Sequence, residues 1–187
     1  DIMKDAVTFY SSISEKKSSI VSDLNLIPGQ FVLATIHRQE NTDAIENLKA
    51  IFEGLEEIHK KKQVVLPLHP RTKAILDKNK LDYQVTIIDP VGYFDMLSLL
   101  NKCNMVITDS GGLQKEAFFN KKHCIIVREE TEWVELVSEG FAKIVGSNKD
   151  MMCEAFENFQ DSQCDFERNL FGANVGEKIY EEIIKLL

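Results

Sequence analysis

The stretch Thr108-Asp109-Ser110-Gly111-Gly112-Leu113-Gln114-Lys115-Glu116-Ala117 carries the sharpest chemistry in the chain. It follows the apolar run Met105-Val106-Ile107 and leads into a helical pattern. Glycine lets backbone N–H groups come close to an oxyanion. A helix N-terminus presents unpaired N–H groups and a partial positive charge. The Ser110 hydroxyl adds another donor. Ser110, Gly111 and Gly112 therefore read as a diphosphate seat that needs no lysine. Glu116, about one turn further on, could accept from ribose hydroxyls, as an acid does in dinucleotide folds. A tight strand-to-helix turn capped by serine would leave the same pattern.

Other polar residues follow other apolar runs. His37-Arg38-Gln39-Glu40-Asn41 succeeds Phe31–Ile36. Five polar residues at a strand end are costly unless they meet water or a ligand. The His37 imidazole can exchange a proton near neutral pH, and Arg38 offers a planar fork to phosphate or carboxylate. Leu68-His69-Pro70-Arg71 repeats the His-and-Arg theme after the second run, with Pro70 suited to a helix's first turn. Asp89-Pro90-Val91-Gly92-Tyr93-Phe94 follows the third, where Tyr93 could wall a flat ring or simply pack at a helix start. Arg128, after the fifth, stands where a ligand's charge could lie or where an acid could pair with it. Asp109 also admits a different reading, as the phospho-acceptor of a signalling domain. His37-Arg38 stands where that class would carry an acidic pair.

The elements that must position these residues alternate along the chain. Strands are expected at Phe31–Ile36, Gln63–Leu68, Val85–Ile88, Met105–Thr108, Cys124–Val127 and Ala142–Val145. Several are apolar throughout, as in strands covered on both faces. Ile45, Leu48, Ile51, Phe52, Leu55 and Ile58 recur at helical steps, as do Met96, Leu97, Leu99 and Leu100. Thr42-Asp43 and Asp150 read as caps or first-turn acids. Thr131 with Trp133-Val134-Glu135 reads as a helix start, Lys60-Lys61-Lys62 as a solvated helix end, and 160–172 as a loop. Terminal helices are expected around 2–20 and 175–187. Strand–helix alternation predicts one α/β domain over 1–187, a Rossmann-like doubly wound parallel sheet with right-handed crossovers. In such sheets ligands bind beyond the carboxyl ends of the strands.

Composition excludes several classes. The chain has 187 residues, 44% hydrophobic and 28% charged, with a formal net charge of -8. The acidic excess lies after residue 80, and the basic residues form no stripe, so nucleic acid is not an expected partner. No apolar run approaches the ~20 residues of a membrane span. Cys103, Cys124, Cys153 and Cys164 show no zinc or redox spacing and read as reduced thiols, consistent with a cytoplasmic protein. There is no G-x-G-x-x-G after the first strand, no P-loop and no nucleophile elbow, so neither a nicotinamide cofactor nor a metal is expected. The opening Asp1-Ile2-Met3 resembles neither a signal peptide nor a natural start, so an excised piece of a longer protein is expected.

Taken together, Thr35-Ile36-His37-Arg38-Gln39-Glu40-Asn41, Leu68-His69-Pro70, Val106 through Ala117, Val127-Arg128 through Thr131-Glu132, Ile144-Val145-Gly146 and Phe171-Gly172-Ala173 resemble the non-hydrolysing UDP-N-acetylglucosamine 2-epimerase family. The resemblance runs through the chain in order. It implies the C-terminal half of a two-domain, glycosyltransferase-B-type fold, with the N-terminal domain absent and the terminal helices bridging toward it. It implies an enzyme that interconverts UDP-GlcNAc- and UDP-ManNAc-type sugars, eliminating UDP to a glycal and re-adding it on the other face, without a cofactor.

The resemblance implies that Ser110-Gly111-Gly112 holds the diphosphate, Glu116 the ribose, and that Tyr93 and Met96 border the uracil. Arg128 joins the UDP-binding set, and His37 sits catalytically where leaving-group charge develops. Arg38 and His69 match positions linked to an activating second UDP-sugar. A homodimeric full-length protein, working in polysaccharide biosynthesis, is implied as well. Two residues depart from the pattern. Lys115 replaces a usual acid, and Trp133 stands where Arg-Pro is common. The Thr131-Glu132-Trp133 form resembles the branch acting on 2,3-diacetamido-glucuronate sugars. The donor-binding half of a glycosyltransferase with the same architecture is the alternative.

Overall fold

The apolar runs put alternate side chains on opposite sides of one sheet. Val32, Ala34 and Ile36 join one core layer, while Phe31 and Leu33 join the other. In the computed structural model, which describes residues 1–162 and 164–186, six strands among the described residues form this sheet. They are β1 (Phe31–Thr35), β2 (Gln63–Pro67), β3 (Thr86–Ile88), β4 (Met105–Thr108), β5 (His123–Ile126) and β6 (Ala142–Ile144). The order is β3-β2-β1-β4-β5-β6, with every pairing parallel. That is the doubly wound order, and the chain reverses direction across the sheet between β1 and β4. Strands expected from the sequence all form, each within a residue or two of its predicted bounds.

Helices α4 (Ile45–His59), α5 (Pro70–Lys78) and α9 (Lys149–Gln160) cover one face. Leu48, Ile51, Phe52, Leu55 and Ile58 of α4 are completely or almost completely buried there. Helices α6 (Tyr93–Lys102), α7 (Gly111–Phe119) and α8 (Val134–Ser138) cover the other. The short α3 (Gln39–Thr42) follows β1 directly. Helix α1 (Ile2–Lys17) packs on α6 and α7, and α10 (Val175–Lys185) packs on α1.

Some local expectations change. The first helix ends at Lys17 because Ser18 turns extended and gives its hydroxyl to Asp95, 2.6 Å away; α2 (Ile20–Asp23) then restarts. Thr42-Asp43 does not cap α4. Ala44 is its N-cap residue, Thr42 is buried in α3, and Asp43 turns to Arg71. Asp150 lies in the first turn of α9 as expected, with Asn148 as the side-chain cap. Lys60, Lys61 and Lys62 meet Glu57, Glu157 and Gln160 respectively, so that helix end is bound to α9 rather than merely solvated. The segment after α9 carries no helix or strand among its described residues until α10. The expected end of the last helix at Leu187 lies outside the described residues. Among the described residues no helix is long and apolar enough to cross a membrane. Cys103 and Cys124 are unpaired and fully buried, and burial pushes the Cys103 thiol up to about 12.

Candidate functional site

The carboxyl ends of β1, β2 and β4 open onto one cavity of about 340 Å³. Thr35, Ile36 and His37 line it from the β1 end, Pro67 and His69 from β2, and Ser110, Gly112, Leu113 and Glu116 from α7. Pro90, Val91 and Met96 close a more apolar side. Position follows from topology: parallel strands bring all their carboxyl ends to one edge, and the reversal between β1 and β4 leaves a gap there.

The turn from β4 into α7 is built by short side chains. Thr108 and Thr35 share a buried hydroxyl–hydroxyl bond of 2.6 Å across the two strands. The Thr108 hydroxyl also accepts from Ser110 N–H at 2.9 Å. Ser110 is the N-cap residue of α7, its hydroxyl facing Leu113 N–H at 3.5 Å. The N–H groups of Gly111 and Gly112 find no acceptor among the described residues. They are the unpaired donors that a helix start leaves open.

Gly111 has a second constraint. A Cβ there would lie 3.0 Å from a Glu132 carboxylate oxygen and 3.7 Å from the Trp133 indole nitrogen, which donates to Gly111 C=O at 2.8 Å. Glu132 is held by buried Arg128 through a fork of 2.8 and 2.9 Å, and it lies 4.0 Å from Arg38. Arg128 keeps the Glu132 carboxyl at about 2, far below the usual carboxylate range. The glycine is therefore required by an internal acid packed on the turn as well as by any ligand.

Glu116 lines the cavity with a partly buried carboxyl group that has no ion-pair partner among the described residues. Burial pushes its pKa up from 4.5. An acceptor left partly dry is one that a hydroxyl-bearing ligand would satisfy.

Asp109 is completely buried. Its carboxylate accepts from His37 N–H at 3.0 Å, Arg38 N–H at 2.9 Å and the Asn41 amide at 3.1 Å. A buried acid enclosed by donors is not open to a phosphodonor, which removes the phospho-acceptor reading. His69 is the N-cap residue of α5 and accepts from Arg71 N–H through Nδ1 at 3.2 Å, with Pro70 at the first helical position.

The structure thus gathers His37, His69, Met96, Ser110, Gly112 and Glu116 around one cavity, with Gly111 in the same turn. It does not gather all of the expected set. Tyr93 packs edge-on against Tyr10, 6.0 Å between ring centres, outside the lining. Arg38 and Arg128 both turn to Glu132. Thr35, Val91 and Leu113, together with the hub at Asp109, were missed as site residues. Thr35 and Leu113 look like ordinary core from sequence and Val91 like a loop residue, whereas the Thr-Asp-Ser strand end was a visible signal for the hub. Among the described residues no group of three His, Cys, Asp or Glu side chains is placed to hold a metal ion.

Comparison with known proteins bears on the family and the fold. A Pseudomonas aeruginosa UDP-2,3-diacetamido-2,3-dideoxy-D-glucuronate 2-epimerase is 40% identical over 100% of this chain and 52% of its own. The structure of UDP-GlcNAc 2-epimerase from Methanocaldococcus jannaschii matches with a TM-score of 0.87 at 35% identity, covering 97% of this chain and 54% of that one. The same organism's enzyme in complex with UDP-GlcNAc and UDP matches with a TM-score of 0.84 at 34% identity, over 97% and 52%. The chain spans about half the length of the curated relatives it matches. The UDP-N-acetylglucosamine 2-epimerase family model matches residues 1–184, and on that match over nearly its whole length the chain belongs to the UDP-N-acetylglucosamine 2-epimerase family.

Proposed function

We propose that this chain is the UDP-binding, C-terminal half of a UDP-N-acetylglucosamine 2-epimerase, which inverts C2 of a UDP-N-acetylhexosamine by eliminating and re-adding UDP. The observation that carries this reading is that one helix, α7, brings unpaired N–H groups at Gly111 and Gly112 and, one turn later, the unpartnered Glu116 carboxylate to the same side of one cavity. A nucleoside diphosphate needs both: donors for its phosphates and an acceptor for its ribose hydroxyls. The apolar side at Val91 and Met96 suits the flat uracil. His37 lies between the two ends of that ligand, where charge on a departing diphosphate is stabilised.

The acids that move the C2 proton belong to a preceding domain of the same enzyme, so the chain alone does not epimerise. Helices α1 and α10 face that domain, and the full-length protein is a cytoplasmic homodimer. His69, beside His37, and Arg38 remain the residues for an activating UDP-sugar, while Tyr93 and Arg128 shape the rim and the turn. The relative from Pseudomonas aeruginosa supports a 2,3-diacetamido-glucuronate sugar as the substrate within this class. The glycosyltransferase alternative would share the diphosphate seat, but the family match favours epimerisation.

Calorimetry with UDP tests the reading. Wild type should bind at up to millimolar concentration, and Glu116→Ala should weaken binding about tenfold or more, the loss of a charge-assisted pair of hydrogen bonds. Absence of heat from folded wild type, or an unchanged affinity in the variant, would overturn it.

A further inference from the structure

We propose that Asp109 is the positioning residue for His37, holding its imidazole with the proton on Nδ1 so that Nε2 alone serves the ligand. The role at the diphosphate rests on the UDP-binding reading; the hold on the ring does not. Three observations carry it. Asp109 is completely buried, yet no Lys or Arg among the described residues pairs with it. The cationisable group beside it is His37, whose Nδ1 lies 3.3 Å from Oδ1. The same carboxylate accepts from the backbone N–H groups of both His37 and Arg38, so main chain and ring are referenced to one acid.

A buried carboxylate is expensive to keep charged. If anchoring the chain after β1 were the whole task, a neutral side-chain oxygen would serve at lower cost. N–H donors from His37, Arg38 and Asn41 stabilise that charge, and beside them Oδ1 meets the one neighbour that can itself carry a proton, the His37 ring nitrogen. At 3.3 Å the Nδ1 contact is within reach but is not an aligned hydrogen bond, and such contacts are often poorly aligned in ligand-free sites and tighten when the ligand arrives. The hydrogen bond at one ring nitrogen decides what the other can do. With Nδ1–H turned to Asp109, Nε2 is the nitrogen left on the cavity side, where His37 is about half exposed. A proton gained there makes Nε2 a donor to a phosphate oxygen. Losing that proton returns the same neutral form, without rotation of the ring. Such a ring suits a diphosphate that departs and returns within one catalytic cycle.

The test is the tautomer of neutral His37, read from ring 15N shifts in this chain without nucleotide. In wild type, Nδ1–H should be the majority form. In Asp109→Asn, the majority should pass to Nε2–H while far-UV and amide spectra stay native. A wild-type ring protonated mainly on Nε2 overturns the inference by itself, whether or not the variant folds. So does a folded Asp109→Asn chain with the wild-type tautomer. Failure of UDP to bind wild type would strike the functional reading and leave this measurement standing.

Discussion

At the residue scale, the proposed ribose-binding role of Glu116 makes a prediction from its burial. Burial raises its pKa in the free protein, whereas hydroxyls donating to the carboxylate would lower it in the complex. The bound pKa is the lower of the two, so affinity is full above the free value and falls as pH drops through it. Uridine, which has no phosphate to confuse the titration, should therefore bind more weakly as pH falls from 7 toward 4.5, and Glu116→Gln should flatten the profile. Isothermal titrations across that range check both. The two residues expected to depart from the family pattern meet. Lys115, almost buried, places Nζ 3.8 Å from the centre of the Trp133 ring. A double-mutant cycle of Lys115→Met and Trp133→Leu should give a coupling of about 1–2 kcal/mol in denaturant unfolding, the scale of a partly desolvated cation–π pair. Additive losses would mean that the two changes arose for separate reasons. The sequence exposed each departure but not their meeting, since residues 115 and 133 sit on different elements.

At the scale of elements, strands and the strand-to-helix turn at Ser110 were legible because their signals are local. Apolar runs of four to six residues mark covered strands, and the glycines mark the turn. What was not legible depended on partners distant in sequence. The break after Lys17 needs Asp95 of α6, and Thr42-Asp43 lost its capping role to a short helix and to Arg71. In the site, Arg128 read equally well as a ligand contact or an ion pair; the choice turned on where Glu132 fell, one turn later. Gly54 is a further case. It sits in the middle of α4, where alanine would be favoured by propensity, because α9 passes over it. A Cβ would lie 2.8 Å from Met152 Sδ and 3.5 Å from Lys149 Cα. Gly54→Val should cost about 1–3 kcal/mol by overpacking. Met152→Ala in the same chain should recover part of that loss, as read by thermal unfolding. A neutral Gly54→Val would mean that the helices separate freely.

At the scale of the whole molecule, the alternation of elements predicted the doubly wound sheet, and with it a site beyond the carboxyl ends of the strands. Pattern alone could not supply the order in which strands pair, which matters for more than ligand binding. Strand β1 pairs with β2 through Phe31 and Gln63, and β4 pairs with β5 through Met105 and His123, so each joins near neighbours in the chain. The β1–β4 seam instead joins Thr35 to Thr108, 73 residues apart. Closing that long loop costs entropy before any pairing repays it. The two halves of the sheet should therefore assemble first and the seam close after the rate-limiting step. Ile107, fully buried on the β4 side of the seam, offers a probe. Ile107→Val should destabilise by about 1 kcal/mol. Nearly all of that should appear as roughly fivefold faster unfolding, with the refolding limb of the chevron unmoved. A slowed refolding limb would place the seam in the nucleus. On the expected outcome, the crevice proposed to receive the nucleotide is the last part of the sheet to exist and the first to open.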